Sequence, residues 1–135
     1  MPSGLIASLE QARAAERVQA LFYRALAAEA ERRGDAALGE RFNDLHADEQ
    51  HHLSRLSARL LELGMSLTDL GDPRLPAVDM AGWEGEAQRR EEEEVLRYET
   101  LLGETLDDET RELLEMILDT ERHHAAELGG KWTIA

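Results

Sequence analysis

Two five-residue stretches, Asp48-Glu49-Gln50-His51-His52 and Thr120-Glu121-Arg122-His123-His124, each set a Glu three residues before a His. On a helix that spacing is close to one turn, so the carboxylate and the imidazole share a face. A carboxylate and an imidazole one turn apart can hold the same metal ion. The pattern therefore asks for two helices that turn these pairs toward one interior, and for further helices that close the interior around them.

The rest of the chain suits that demand. Its 135 residues allow one domain with a single core, so residues 1–135 are read as one domain. Ala, Leu, Glu and Arg dominate, and only 3 Pro are present. Such a composition favours helix, and the expected class is all-α. The net charge of −14 argues against nucleic acid and against an anionic membrane as partners. Four ligand carboxylates neutralised by two divalent cations would account for part of that acidity. Cysteine is absent, which excludes disulfides, zinc–thiolate sites and iron–sulfur or rubredoxin-type centres. No run is long and apolar enough for a membrane span, and no secretory signal is visible, so a cytoplasmic location is the expectation.

Four helices follow from periodicity and stop signals. The first is predicted over about 5–33 and ends at Gly34, a C-cap residue. Its apolar stripe holds Leu5, Leu9, Ala12, Ala20, Tyr23, Ala27 and Ala30, and Glu16 lies within it. Asp35 caps the second helix, about 35–63, whose apolar face of Leu38, Phe42, Leu45, Leu53, Leu56, Leu60 and Leu63 is centred on Glu49. His52 lies roughly 60° to one side of Glu49, and His51 points away. Residues 64–82 form a long crossover with two prolines. Leu67, Leu70, Leu75 and Val78 in it are expected to pack on the bundle surface. A connection of this length lets the third helix start from the opposite end of a bundle.

The third helix, about 83–104, contains Glu91-Glu92-Glu93-Glu94. Read as a charge run this is a solvated face. Periodicity separates its members: Glu91 sits among Ala87, Val95, Tyr98 and Leu102, Glu92 and Glu93 point out, and Glu94 lies on the flank. A tight connection near residues 105–107 leads to the fourth helix, about 107–129. There Leu114, Ile117, Leu118, Ala125 and Leu128 surround Glu121, with His124 to one side and His123 outward. Trp83 and Trp132 are assigned to packing at the bundle ends. His46, His51 and His123 are assigned to the surface.

The halves repeat. Glu16 is seven residues before Tyr23, and Glu91 seven before Tyr98; Glu49-x-x-His52 matches Glu121-x-x-His124. The second half is three residues shorter between its motifs, a deficit assigned to a tighter turn. Two helical hairpins of one plan, joined by the crossover, would set one Glu and one Glu-His pair on each side of a shared centre. Each half by itself is weak evidence, but four Glu residues at the centres of four apolar faces are not. A buried carboxylate without a partner is costly, and converging carboxylates repel. Two divalent cations remove both costs. The competing reading pairs Glu16 with Arg13 or Arg17, and Glu91 with Arg89 or Arg90.

Oxygen and nitrogen donors without thiolate suit Fe, Mn or Zn. On this reading Glu49 and Glu121 bridge, Glu16 and Glu91 are terminal ligands, and His52 and His124 each bind one ion. Asp48 is a candidate acceptor for the second N–H of His52; Thr120 takes its place in the second half. Glu94 is read either as a seventh ligand, or a base that swings in, or as a solvated flank residue. Gln19 stands at its equivalent in the first half. Tyr23 and Tyr98 are candidates for redox relays or hydrogen-bond donors, against a role in core packing.

With Glu16, Glu49-x-x-His52, Glu91-x-x-Glu94 and Glu121-x-x-His124 in place, the chain resembles the ferritin-like superfamily, and the rubrerythrins in particular. The segment from Glu16 to Glu31-Arg32-Arg33-Gly34 is similar to the first rubrerythrin helix. The resemblance implies a ferritin-like four-helix bundle with two iron ions, manganese being the alternative, that reacts with hydrogen peroxide or dioxygen. The short spacing between the third and fourth helices leaves Gln88 and Glu94 as alternatives to Glu91. The cysteine-rich rubredoxin domain of rubrerythrins is absent, so an external electron donor is implied, and the fifth helix of ferritin cages is not found. A rubrerythrin-like peroxidase is the first expectation. A ferroxidase or iron-storage protein and a substrate oxygenase are the alternatives, and a homodimer or higher homo-oligomer is expected.

Overall fold

The computed structural model describes residues 3–128, and every described element is helical: α1 (Ser3–Arg32), α2 (Ala36–Glu62), α3 (Trp83–Leu102) and α4 (Asp108–Ala126). The helices form two hairpins, with α1 packed on α2 and α3 on α4. The chain divides into two compact units between Val78 and Asp79.

In the first hairpin the turn is dictated by two residues. Gly34 adopts φ +79°, a left-handed conformation that costs glycine little. It lets the Asp35 amide return to the Ala30 carbonyl at 2.9 Å. Asp35 then caps α2 by accepting from the Leu38 amide. Close to this turn the helices pack tightly enough that a Cβ on Gly39 would stand 3.2 Å from Glu31 Cγ. The stripe expected on α1 is buried throughout. A second α1 face, Phe22, Ala25 and Leu26, is buried as well. Periodicity around Glu16 did not reveal it because α1 is covered on more than one side. On α2, Leu38, Phe42, Leu45, Leu56 and Leu60 are buried, whereas Leu53 and Leu63 lie at the edge of the face and stay half-exposed.

The crossover begins as an irregular strap on this hairpin. Arg13 donates to the Thr68 carbonyl (3.0 Å) and to Ser57 Oγ (3.0 Å), and Arg17 donates to the Gly71 carbonyl. Asp69 accepts from the Gly71 amide at 2.8 Å, and Gly71 takes φ +83°. The surface packing expected of the strap is only partial. Leu70 and Val78 are half-buried, but Leu67 and Leu75 are exposed, because the strap is held through its carbonyls rather than by its side chains.

In the second hairpin Asp107 caps α4, accepting from the Thr110 amide (3.3 Å) and from Thr110 Oγ1 (2.6 Å). The turn is not the tighter one. Residues 33–35 join α1 to α2, and residues 103–107 join α3 to α4. The deficit lies in α3, which ends eleven residues after Glu91, where α1 runs sixteen beyond Glu16. Gly103 ends α3, and Arg111 donates to the carbonyls of Leu102 and Glu104 across the turn. The inward face of α3 is also rotated from the expected one. Ala87, Glu91, Glu94, Tyr98 and Leu101 are buried, while Val95 and Leu102 are half-exposed. On α4 the buried face is Thr110, Leu113, Leu114, Ile117, Leu118, Glu121 and His124, and Ala125 is half-exposed. Trp83 is buried at the start of α3; Trp132 lies outside the described residues.

Candidate metal centre

Each hairpin builds a triad of its own. In the first, α1 supplies Glu16 and α2 supplies Glu49 and His52. Glu16 and Glu49 have no exposed surface, and His52 is 1% exposed. His52 Nδ1 stands 3.4 Å from Glu16 Oε2 and 3.7 Å from Glu49 Oε1. In the second, α3 supplies Glu91 and α4 supplies Glu121 and His124, all equally buried. His124 Nδ1 stands 3.6 Å from Glu91 Oε2 and 3.2 Å from Glu121 Oε1. Within each triad a donor atom from every residue lies within 4.8 Å of the others.

The two triads present the same atoms in the same way. The ring nitrogen nearer the backbone, Nδ1, faces the carboxylates, as the short reach between positions i and i+3 requires. Two ligands of one ion, with bonds of about 2.0–2.2 Å, stand about 3.0–3.5 Å apart. The separations of 3.2–3.7 Å fit ligands waiting for an ion a few tenths of an ångström from their bound positions. Charge points the same way. Each triad carries two carboxylates and one imidazole, so it stays net negative even with the ring protonated. A buried site of that sign is stabilised by a cation.

The arginines considered as partners for these glutamates are engaged as follows. Arg13 and Arg17 hold the strap. Arg90 pairs with Glu86 at 2.8 Å, and Arg89 pairs with Glu93 at 2.7 Å. Glu94 is buried and stands outside the clustered donors found among the described residues; its Oε1 lies 3.7 Å from Arg97 Nε. Gln19 is buried one turn beyond Glu16. Tyr23 and Tyr98 are fully buried, Tyr23 tilted against Phe22 at 5.4 Å between ring centroids.

His51 and His123 are exposed, and His123 pairs with Glu127 at 2.8 Å. His46 departs from its surface assignment: it is half-buried, and its Nδ1 lies 2.9 Å from the Ala20 carbonyl. There it ties α2 to α1 on the flank of the apolar face. Asp48 is exposed. Sequence reasoning missed Arg97. The signal was available, since a cation three residues after an inward Glu stands on the same side of the helix.

No protein-family model matches the chain, and no curated protein matches it in sequence. Solved structures do match. A ferritin of Chlorobium tepidum superposes with a TM-score of 0.83 at 17% identity, over 97% of this chain and 83% of that one. An open-pore ferritin of the hyperthermophilic archaeon Archaeoglobus fulgidus superposes with a TM-score of 0.79 at 15% identity, over 95% of this chain and 82% of that one. An engineered closed form of the Archaeoglobus ferritin gives 0.77 at 14% identity, over 95% and 81%. At these identities the likeness speaks to architecture, and it shows that the chain has the ferritin-like four-helix bundle fold.

Proposed function

We propose that this chain is a di-iron carboxylate protein of the ferroxidase type. Its reaction passes one electron from each of two Fe(II) ions to dioxygen, which takes up two protons and leaves as hydrogen peroxide. The observation that carries the reading is the duplicate triad, Glu16, Glu49 and His52 with Glu91, Glu121 and His124. The donor count suits two ions: four carboxylates and two imidazoles in two like triads. Harder oxygen donors also favour Fe(III) over Fe(II) electrostatically, so the site that binds the substrate ion promotes its oxidation. The fold shared with proteins named ferritins supports this reading over a peroxidase.

A peroxidase of the rubrerythrin kind is the second reading. Buried Glu94 on α3 favours it, because an additional inward carboxylate suits a centre that is repeatedly re-reduced. Two Fe(II) would then give two electrons to hydrogen peroxide, which takes two protons and leaves as two waters. Regeneration needs an external electron donor. Tyr23 and Tyr98, buried and seven residues beyond Glu16 and Glu91, would be the candidates to donate hydrogen bonds or relay electrons.

The test is iron stoichiometry followed by oxidant preference. Metal-free protein is loaded with Fe(II) without oxygen, beside a Glu49→Ala/Glu121→Ala variant. Two ions per chain, lost in the variant, is the expected result; no uptake overturns the proposal. Faster oxidation by dioxygen than by peroxide then selects the ferroxidase, and the reverse selects the peroxidase. Assembly size in solution separates a storage role, which needs an enclosed shell, from a freestanding oxidoreductase.

A further inference from the structure

The two halves of the repeat differ one turn before each inward glutamate. Glu16 and Tyr23 on α1 correspond to Glu91 and Tyr98 on α3, and the same offset sets Arg13 against Gln88 and Glu10 against Gly85. The first triad therefore has a cation at its flank where the second has a neutral amide. Each triad is also flanked by an ion pair whose nearer member is buried, and the two pairs run in opposite senses. On α1 the cation is nearer: Arg13 is one turn from Glu16 and Glu10 two turns, with 3.5 Å between them. On α3 the carboxylate is nearer: Glu94 is one turn from Glu91 and Arg97 two turns, with 3.7 Å between them.

Arg13 is only 8% exposed, and arginine is seldom buried so far. Neutral groups fix its guanidinium: Nε donates to Ser57 Oγ and Nη1 to the Thr68 carbonyl, each at 3.0 Å. Ser57 lies five residues beyond His52, so the guanidinium is lodged roughly 7–8 Å along the helices from the first triad. Over such a span of packed protein a charge is weakly screened. Gln88 differs in sign as well as in charge. It is half-buried, and its Oε1 is buried with no hydrogen-bond partner among the described residues. The negative end of an amide dipole is thus left uncommitted one turn from Glu91.

We propose that Arg13 lowers the affinity of the half-site formed by Glu16, Glu49 and His52 for a divalent cation. The half-site formed by Glu91, Glu121 and His124 then fills first and empties last. This inference rests on the metal-binding reading given above. The first hairpin becomes the half that exchanges its ion, and the second the half that retains it. Arg13 touches no ligand of the first triad among its hydrogen bonds; it acts through its field. The Thr68 carbonyl on the crossover holds that field in place, so the crossover takes part in grading the two half-sites.

Calorimetric titration of the metal-free full-length chain with Co(II), without oxygen, tests it. Two steps of unequal affinity are expected, the weaker abolished by Glu16→Gln and the tighter by Glu91→Gln. Arg13→Gln should tighten the weaker step about tenfold, the size of one unit charge removed at such a distance. Arg13→Lys gives up the forked grip on Ser57 and Thr68 but keeps the charge, so the weaker step should stay weak. Gln88→Lys, which leaves the crossover untouched, should weaken the tighter step by a similar factor. A tighter step that Glu16→Gln abolishes overturns the inference. Equal tightening by Arg13→Gln and Arg13→Lys also overturns it, since a loosened crossover rather than charge would then be responsible. No response to Arg13→Gln, or none to Gln88→Lys, does the same. Absence of Co(II) uptake by the wild-type chain overturns the metal-binding reading and this inference together, whereas normal uptake with any of the preceding results overturns this inference alone.

Discussion

The two hairpins carry the same triad on different supports. In the first, a glycine-aspartate turn joins long helices, and the residues one and two turns beyond the α1 glutamate are neutral. In the second, α3 is shorter, the turn is longer, and an ion pair stands where the neutral pair stood. Yet Glu49 and Glu121 each lie thirteen residues into their helices. What stays constant is the depth of the Glu-His pair below its Asp cap; what varies is everything that can vary without moving it. A duplicated site tolerates changes in turns and helix ends when the register from the Asp cap to the donors is kept.

The largest effect expected to break this symmetry is removal of carboxylates. If the buried charges are there for ions, Glu16→Gln and Glu91→Gln should each raise the stability of the metal-free protein, because each removes one of two crowded buried carboxylates beside a single imidazole. The same variants should lose the metal-induced rise in melting temperature. That rise corresponds to about 2.7 kcal/mol at an ion concentration one hundred times Kd. Thermal melts with and without Co(II) measure both, and a glutamine variant less stable than wild type without metal would contradict the assignment.

A comparable loss is expected on truncating the core beside each triad. Leu56 on α2 and Leu114 on α4 have no exposed surface, so each change to Ala should cost about 2–5 kcal/mol in denaturant unfolding. The α3–α4 unit has fewer buried residues to compensate, so Leu114→Ala is expected to be the more damaging.

Cap substitutions sharpen the comparison further. Asp35→Ala and Asp107→Ala each remove one bond to a helix amide, worth about 1 kcal/mol. Asp107→Ala also removes the bond that the buried Thr110 hydroxyl donates to Asp107, so it should cost more than Asp35→Ala. Equal losses would mean that the hydroxyl finds another acceptor.

The smallest effect concerns pH. Arg32, bonded to Glu29 at 2.7 Å, holds the Glu29 carboxyl below its ordinary value. A carboxyl depressed on folding adds stability above its unfolded pKa and loses it as pH falls through the folded value. Arg32→Ala should therefore lower melting slightly near neutral pH, leave it unchanged at low pH, and so flatten slightly the acid side of the profile. The pair is exposed, so salt should erase even this difference.

Much of the fold was legible because its determinants are local. Gly34, Asp35 and Asp107 mark helix ends by chemistry that does not depend on distant residues. Periodicity brought Glu16, Glu49, Glu91 and Glu121 to the centres of their faces. What escaped was set by tertiary packing or by competition between neighbours. Phe22, Ala25 and Leu26 are buried on a second α1 face that no single stripe predicts. Val95 and Leu102 gave way to Glu94 and Leu101 because the inward face of α3 follows Ala87, Glu91 and Tyr98 rather than hydrophobicity alone. The three-residue deficit looked like a shorter turn, since spacing counts residues without saying which are helical. Arg97 was overlooked because one member of a charge run was weighed without the cation one turn further on.

The strap over the first hairpin has an evolutionary consequence. Arg13 and Arg17 grip it through the carbonyls of Thr68 and Gly71, and a carbonyl is present whatever side chain a residue bears. Residue identity along this segment can therefore drift while its route stays put. Gly71 is the exception, since φ +83° penalises any side chain there. Among descendants of this chain, the two arginines and that glycine should persist in a stretch whose other letters change freely, and the surface it offers to the outside can be rewritten without disturbing the helices beneath.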